Sequence, residues 1–419
     1  MTTDILFDAS RLISRTERDA PTGVDRVCLA YAEWVLDRPD LRLVPVRSRH
    51  DRLVAVDADW FADVVRDLRR RWTRGAPSGP VSVSEDEARL FAVLNAETTG
   101  RVSLRSPVIE PGRPDSAPRR RLRVMRQFLR SQKTTEIPTG RSYFNVGHTS
   151  LNTPEILTSL KARGVASVVL LHDLIPITHP EYCRPGDDAK HRVRVLNALT
   201  HASRILVNSE YTGLELRRFA EAEGLTPPPI DAIHLGLEPG FQVTAPAQTA
   251  RPYFVHVGTI EARKNLAFLL TVWRRLCERM GEATPQLVLV GRWGWENEAV
   301  LDHFERSPQL QGRVHQAAGL GDEALARLMA GARAVLAPSS VEGFDLPAVE
   351  ASAMGIPLIA SDIAAHKELV GHARLIDPLD GPAWLSALEA ATRKRPKAPA
   401  YAAPTWPAHF AEVERRVGI

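Results

Sequence analysis

Long apolar runs are missing from this chain. No stretch approaches the roughly 18 consecutive apolar residues that cross a bilayer, and the opening residues, MTTDILFDAS, hold no basic segment followed by a long apolar one. The expectation is a protein neither exported nor integral to a membrane. Cysteine is scarce: Cys28, Cys183 and Cys277 are the only three and lie far apart, none in a CxxC pair. Neither a disulfide framework nor a cysteine zinc site is indicated, and reducing, cytoplasmic surroundings fit. An excess of one charge is lacking too. Lysine and arginine number 54 against 50 acidic residues, a net +4, which suits phosphate groups or an anionic membrane surface but does not by itself point to nucleic acid.

What is there is an ordinary globular composition, 44% hydrophobic and 25% charged, in 419 residues. A chain longer than about 250–300 residues splits into more than one core. Residues 5–7 read as a short strand, followed by a polar loop with Gly23 and Arg26. Val27, Ala30, Tyr31 and Trp34 then recur at helical spacing. Gly23 permits close backbone approach, and Arg26, placed at the helix start, can meet an anion. An ordinary strand-to-helix turn fits this stretch as well. Residues 51–140 are expected to be an irregular insertion, with proline, glycine and serine clusters marking loops.

Within that insertion, residues 119–130 hold six arginines, Arg119, Arg120, Arg121, Arg123, Arg126 and Arg130, beside an apolar stripe of Leu122, Met125 and Leu129. Such a helix either lies on an anionic membrane or turns its stripe to the core. No aromatic platform accompanies the arginines, so nucleic acid is not expected. Beyond residue 141, short apolar runs at 167–171, 205–207, 253–257, 287–290 and 357–360 alternate with helical patterns. That alternation predicts an α/β protein of doubly wound parallel sheets, with ligands at the carboxyl ends of strands. His148, His172 and Asp173 stand at such ends.

Residues 338–357, PSSVEGFDLPAVEASAMGIP, follow an apolar run at 332–337 and read as strand, tight loop and short helix. Pro347 suits the first helical turn, and Gly355 with Pro357 stops the helix after about two turns. The loop leaves backbone N–H groups ahead of the helix for an anion, while Glu342 and Glu350 flank it and can take hydroxyl groups. Amides for a phosphate and carboxylates for hydroxyls suit a sugar phosphate.

The stretch EGFDLPAVE, with PSS before it and EASAMGIPLIAS after it, resembles the Glu-x7-Glu motif of retaining glycosyltransferases of family 4. That resemblance implies the GT-B fold: two Rossmann-like domains with a cleft between them, here an acceptor-side domain at 1–245, a donor domain at 246–400 and a helix at 401–419 crossing back to the first. It implies catalytic roles for Glu342, His172, Lys264 and Arg263. Lys264 and Arg263 of GTIEARKN would meet the donor diphosphate, although relatives place the arginine nearer the glycine, where Thr259 stands here. His172 would hydrogen-bond the donor sugar, and no general base is named. Glu350 would hold the ribose, and Gly343, Phe344, Asp345, Leu346, Gly258, Gly291, Arg292, Gly319 and Leu320 would border the donor. Gly23, Arg26, His148 and Asp173 would line the cleft. Trp293 and Trp295 would either stack on a base or sugar or simply pack.

The function so implied is retaining, metal-independent transfer of a hexose from a nucleotide sugar to a glycan or lipid-linked glycan for surface polysaccharide. The string GTIEARKN looks most like bacterial mannosyltransferases, so GDP-mannose is the first donor. No cofactor is expected, since the nucleotide sugar is a substrate. A UDP- or dTDP-sugar enzyme of the same fold, or a non-catalytic binding subunit, are the alternatives. The site would be cytoplasmic, at most peripheral on the inner face of the membrane.

Overall fold

The computed structural model describes residues 2–18, 21–72, 85–95, 142–237, 246–247, 249–318 and 320–419. The basic stripe at 119–130 and Gly319 lie outside the described residues.

Two sheets organise the described residues. The first holds seven strands in the order β3-β2-β1-β4-β5-β6-β7: β1 Thr3–Asp8, β2 Leu41–Arg49, β3 Arg52–Ala55, β4 Ser142–Asn145, β5 Ala166–Leu171, β6 Arg204–Val207 and β7 Ile230–Ala232. All pair in parallel except β3, which turns back antiparallel on β2. The second holds six parallel strands in the order β10-β9-β8-β11-β12-β13: β8 Tyr253–Val257, β9 Gln286–Val290, β10 Val314–Ala317, β11 Val335–Ala337, β12 Leu358–Ser361 and β13 Arg374–Ile376. Helices cover both faces, so strands such as β9, QLVLV, are buried along their whole length. Each sheet reverses its strand order once, between β1 and β4 and between β8 and β11, which is the doubly wound pattern the alternation predicts.

Residues 52–72 correct the expectation of an irregular insertion. They form β3 and the helix Ala58–Trp72, and Glu85–Leu94 is helical as well. Phe61, Val65, Leu68 and Trp72 recur at helical spacing and are buried, while the arginines between them find anions: Arg69 pairs with Glu33, and Arg71 with Asp67 at 2.9 Å. Taking the whole of 51–140 as irregular missed the apolar stripe beneath these arginines.

The helix Trp406–Val417 packs on the first sheet's helix Gly23–Leu36. Phe410 stacks on Trp34 with centroids 4.8 Å apart, Tyr31 Oη meets His409 Nε2 at 2.8 Å, and Trp34 Nε1 donates to Glu414 at 3.0 Å. Just before that helix, Leu237 N donates to the Pro404 carbonyl at 3.2 Å, so two distant segments run side by side there.

Candidate active site

The reversal between β8 and β11 leaves the loops after these two strands open to each other. The β8 loop passes Gly258 and ends in the 3-10 turn Ala262–Lys264. The β11 loop carries Ser339, Glu342 and Asp345 into the helix Leu346–Ala353, with Pro347 in its first turn as read from the sequence. Ser340 N donates to the Arg263 carbonyl at 2.8 Å and fastens the loops together. Gly258 has a φ of +152°, and a Cβ there would stand 3.2 Å from Lys264 Cε, so the lysine lies over a position only glycine suits.

Charged side chains alternate in sign through this junction. Arg263 Nε lies 2.6 Å from Glu261 Oε1, and its NH1 meets Glu342 Oε2. Lys264 Nζ lies 2.5 Å from Glu342 Oε1 and 3.3 Å from Asp345 Oδ1. His366 Nε2 is 2.9 Å from Asp345 Oδ2. Ser339 Oγ donates to Glu342 Oε1 at 2.8 Å, so both oxygens of Glu342 have partners. Burial pushes the Glu342 carboxyl up, but Arg263 and Lys264 outweigh it and hold it below the ordinary range. Asp345 is likewise raised by burial and then lowered further by Lys264 and His366. Burial lowers Lys264, and Asp345 with Glu342 reverse that and raise it. The residues are therefore held ionised, Arg263 with 23% of its side chain exposed and Lys264 with 6%. Arg263 is the more accessible of the two cations.

The first half closes on this junction. A Cβ at Gly343 would fall 2.5 Å from the His172 carbonyl oxygen and 2.9 Å from Asp173 Cβ, so that glycine permits the contact. Ser209 Oγ donates to the Gly343 carbonyl at 2.8 Å. Glu368 accepts from Glu210 N at 2.7 Å and Tyr211 N at 2.9 Å, at the start of the helix Glu210–Ala222, and meets His234 Nε2 at 2.7 Å. On the other flank Arg26 pairs with Asp322 at 3.0 Å. A Cβ at Gly23 would lie 3.3 Å from Leu346. The helix begins at Gly23 under a Thr22–Asp25 capping box, so Arg26 sits about one turn in rather than at its start.

His172 is buried, with Nε2 2.9 Å from the Val146 carbonyl oxygen. A carbonyl only accepts, so Nε2 carries the proton and Nδ1 the lone pair. Burial lowers its pKa to about 4, which keeps the ring neutral. His148, at a φ of +58°, packs its ring 5.0 Å from that of His172. Asp173 Oδ1 accepts from Ile175 N at 3.1 Å and forms the turn that follows.

The remaining residues border the junction. Phe344 and Glu350 are buried, and Phe344 faces the His234 ring edge-on at 6.1 Å. A Cβ at Gly291 would collide with the Gly258 carbonyl at 1.8 Å, so the β8 and β9 loops touch. The Arg292 carbonyl accepts from Ile260 N at 2.8 Å. Leu320 packs on the core. Of the two tryptophans, Trp293 packs edge-on against Phe304 at 5.8 Å, and Trp295 lies under Arg184 at 4.9 Å with its Nε1 donating to the Tyr182 carbonyl at 3.2 Å. Sequence reasoning missed Glu261, His366 and Glu368. Glu261 stood inside the quoted GTIEARKN string. The other two follow β12, one strand beyond the motif, where a strand end was the available signal.

Residues 251–393 match the family described as glycosyl transferases group 1. The serotype-specific mannosyltransferase WbdA of Escherichia coli is 28% identical over 235 residues, 52% of this chain and 29% of that protein. The O-antigen chain mannosyltransferase B of Escherichia coli is 31% identical over 229 residues, 51% of this chain and 58% of that protein. The chain thus spans less than a third of the first relative and under three fifths of the second. Among solved structures, sucrose-phosphate synthase from Thermosynechococcus elongatus has a TM-score of 0.58 at 16% identity, covering 100% of this chain and 94% of that one. Anabaena HepE in complex with UDP and glucose has a TM-score of 0.60 at 14% identity, covering 100% of both chains. The architecture is that of the GT-B fold.

Proposed function

We propose that this chain, with a glycosyl transferases group 1 domain on a GT-B fold, is a retaining glycosyltransferase that moves a hexose from a nucleotide sugar to a glycan or lipid-linked glycan in surface polysaccharide synthesis. The observation that carries the reading is the meeting of Arg263, Lys264 and Glu342 at the strand-order reversal of the second sheet. The leaving group of such a reaction is a nucleoside diphosphate, and Arg263 and Lys264 supply a fork and a point charge to neutralise it without a metal. As the two cations turn toward the phosphates, Glu342 is released toward the sugar. His172, neutral and with an Nδ1 lone pair, would accept from a sugar hydroxyl. Glu350 would hold the ribose hydroxyls.

In a same-face substitution the departing phosphate oxygen takes the acceptor's proton, so no protein base is assigned. GDP-mannose is the proposed donor, supported by the mannosyltransferase relatives that are similar over about half of the chain, 52% and 51% of it. Among the described residues no helix is long and apolar enough to cross a membrane. A cytoplasmic site, with peripheral docking through the arginines of 119–130, completes the proposal. Replacing those arginines should abolish sedimentation with anionic phosphatidylglycerol vesicles, and unchanged sedimentation removes the docking step.

The primary test is a calorimetric screen of GDP-, UDP-, dTDP- and ADP-sugars on the parent and on Lys264→Ala. One donor class should bind the parent and be lost in the variant. Proton NMR of the product should then show the donor's anomeric configuration kept. A parent that binds none of the four overturns the reading.

A further inference from the structure

The alternating charges end on His366. The ring is fully buried in the helix Ala364–Val370, behind the loop that carries Glu342 and Asp345. Its Nδ1 stands 2.9 Å from the Ser361 carbonyl oxygen and its Nε2 2.9 Å from Asp345 Oδ2. A carbonyl and an ionised carboxylate both accept only, so each ring nitrogen carries a proton and the ring is an imidazolium. Burial by itself would lower its pKa, but the hydrogen bond and charge of Asp345 outweigh that and raise it.

Other charged and titratable groups reach Asp345 from two elements. From the β8 loop comes Lys264, 3.3 Å from Asp345 Oδ1, with Glu342 on the far side of the ammonium at 2.5 Å. At the end of β8 stands His256, whose Nδ1 is 2.9 Å from the Leu336 carbonyl oxygen; burial and the neighbouring Lys264 lower its pKa to about 4 and keep it neutral. Asp345 thus has two cationic partners, one for each oxygen, and the shorter contact is to His366. Without charge on that ring, a buried carboxylate would have Lys264 as its remaining counter-ion in hydrogen-bond reach, and the ammonium would be drawn inward.

Resting on the transferase reading, we propose that His366 is a positioning residue: as an imidazolium it neutralises Asp345, and so leaves the Lys264 ammonium available to the diphosphate of an incoming nucleotide sugar. His366 touches no substrate in this scheme. It acts through Asp345 on Lys264.

The test is a rescue. His366→Gln keeps an amide donor but removes the charge, and should weaken binding of inorganic pyrophosphate and of GDP at least tenfold by calorimetry. Adding Asp345→Asn removes the stranded carboxylate and should restore most of that loss, which a merely structural role for the ring would not allow. A single variant that binds like the parent, or a double variant no tighter than the single, overturns the inference. Nitrogen-15 NMR of the parent gives an answer that needs no variant to bind: both His366 ring nitrogens should be protonated at neutral pH, and a singly protonated ring overturns the inference. A parent that turns over a nucleotide sugar while the double variant shows no recovery sinks only the role of His366. A parent that binds pyrophosphate but transfers no sugar, with rescue observed, sinks only the transferase reading.

Discussion

Glu342 shares its two oxygens among Arg263, Lys264 and Ser339, so its charge does two opposing things. On the proposed reading it would hold the cations where a diphosphate arrives, and it would compete with that diphosphate for them. Glu342→Gln keeps the shape and removes the charge. The two cations, left with Glu261 and Asp345, should cost the fold about 3 kcal/mol, the low end for breaking a buried pair because each retains one carboxylate. Denaturant unfolding measures this. Binding of free GDP should tighten, while kcat falls on the order of 10²-fold, the scale of one preorganised electrostatic group. A variant that loses nucleotide affinity along with turnover would show that Glu342 holds the nucleotide directly.

At the scale of elements, Gly236 decides how the last helix is seated. A Cβ there would lie 2.2 Å from Trp406 N and 2.5 Å from its Cα, and backbone cannot yield as a side chain can. Gly236→Ala should therefore unseat the start of the helix Trp406–Val417 and destabilise the protein by about 1–3 kcal/mol, with faster proteolysis near residue 404 as the direct readout. Unchanged cleavage would mean that the segment relaxes freely. This contact was not legible in the sequence, since a lone glycine in HLGLEP carries no mark of a partner some 170 residues away. The strands of both sheets were legible because buried parallel strands leave short apolar runs. Arg263, Lys264 and Glu342 were legible because their loops carry motifs. His366 was not: its proposed role depends on facing Asp345, and pairing across two loops leaves no local pattern. The helix Ala58–Trp72 was hidden by its arginines, whose anionic partners, such as Glu33, come from elsewhere in the chain.

For the whole molecule, buried histidines set the acid limit. Burial holds His148 well below its ordinary 6.5 and places His172, His256 and His409 at about 4. The unfolded chain takes up these protons near 6.5 and the folded chain only at lower pH. The unfolded state therefore binds more protons in between, and stability falls as the pH drops from about 6.5 toward 4. His366 has the opposite sign, since its raised value gives stability that is complete below 6.5 and lost as the pH rises through that value. Four groups against one should lower the urea midpoint steadily from pH 7 to pH 4, and a flat midpoint would contradict the burial of these rings. The two segments bonded at Leu237 and Pro404 have a consequence of another kind. Because the last helix belongs with the first sheet, no single cut divides the chain into its two halves. A fragment ending after Leu237 would keep all seven strands of the first sheet yet expose Trp34 where Phe410 had stacked. To make that half soluble by itself, the final helix must be supplied separately or spliced on behind Leu237.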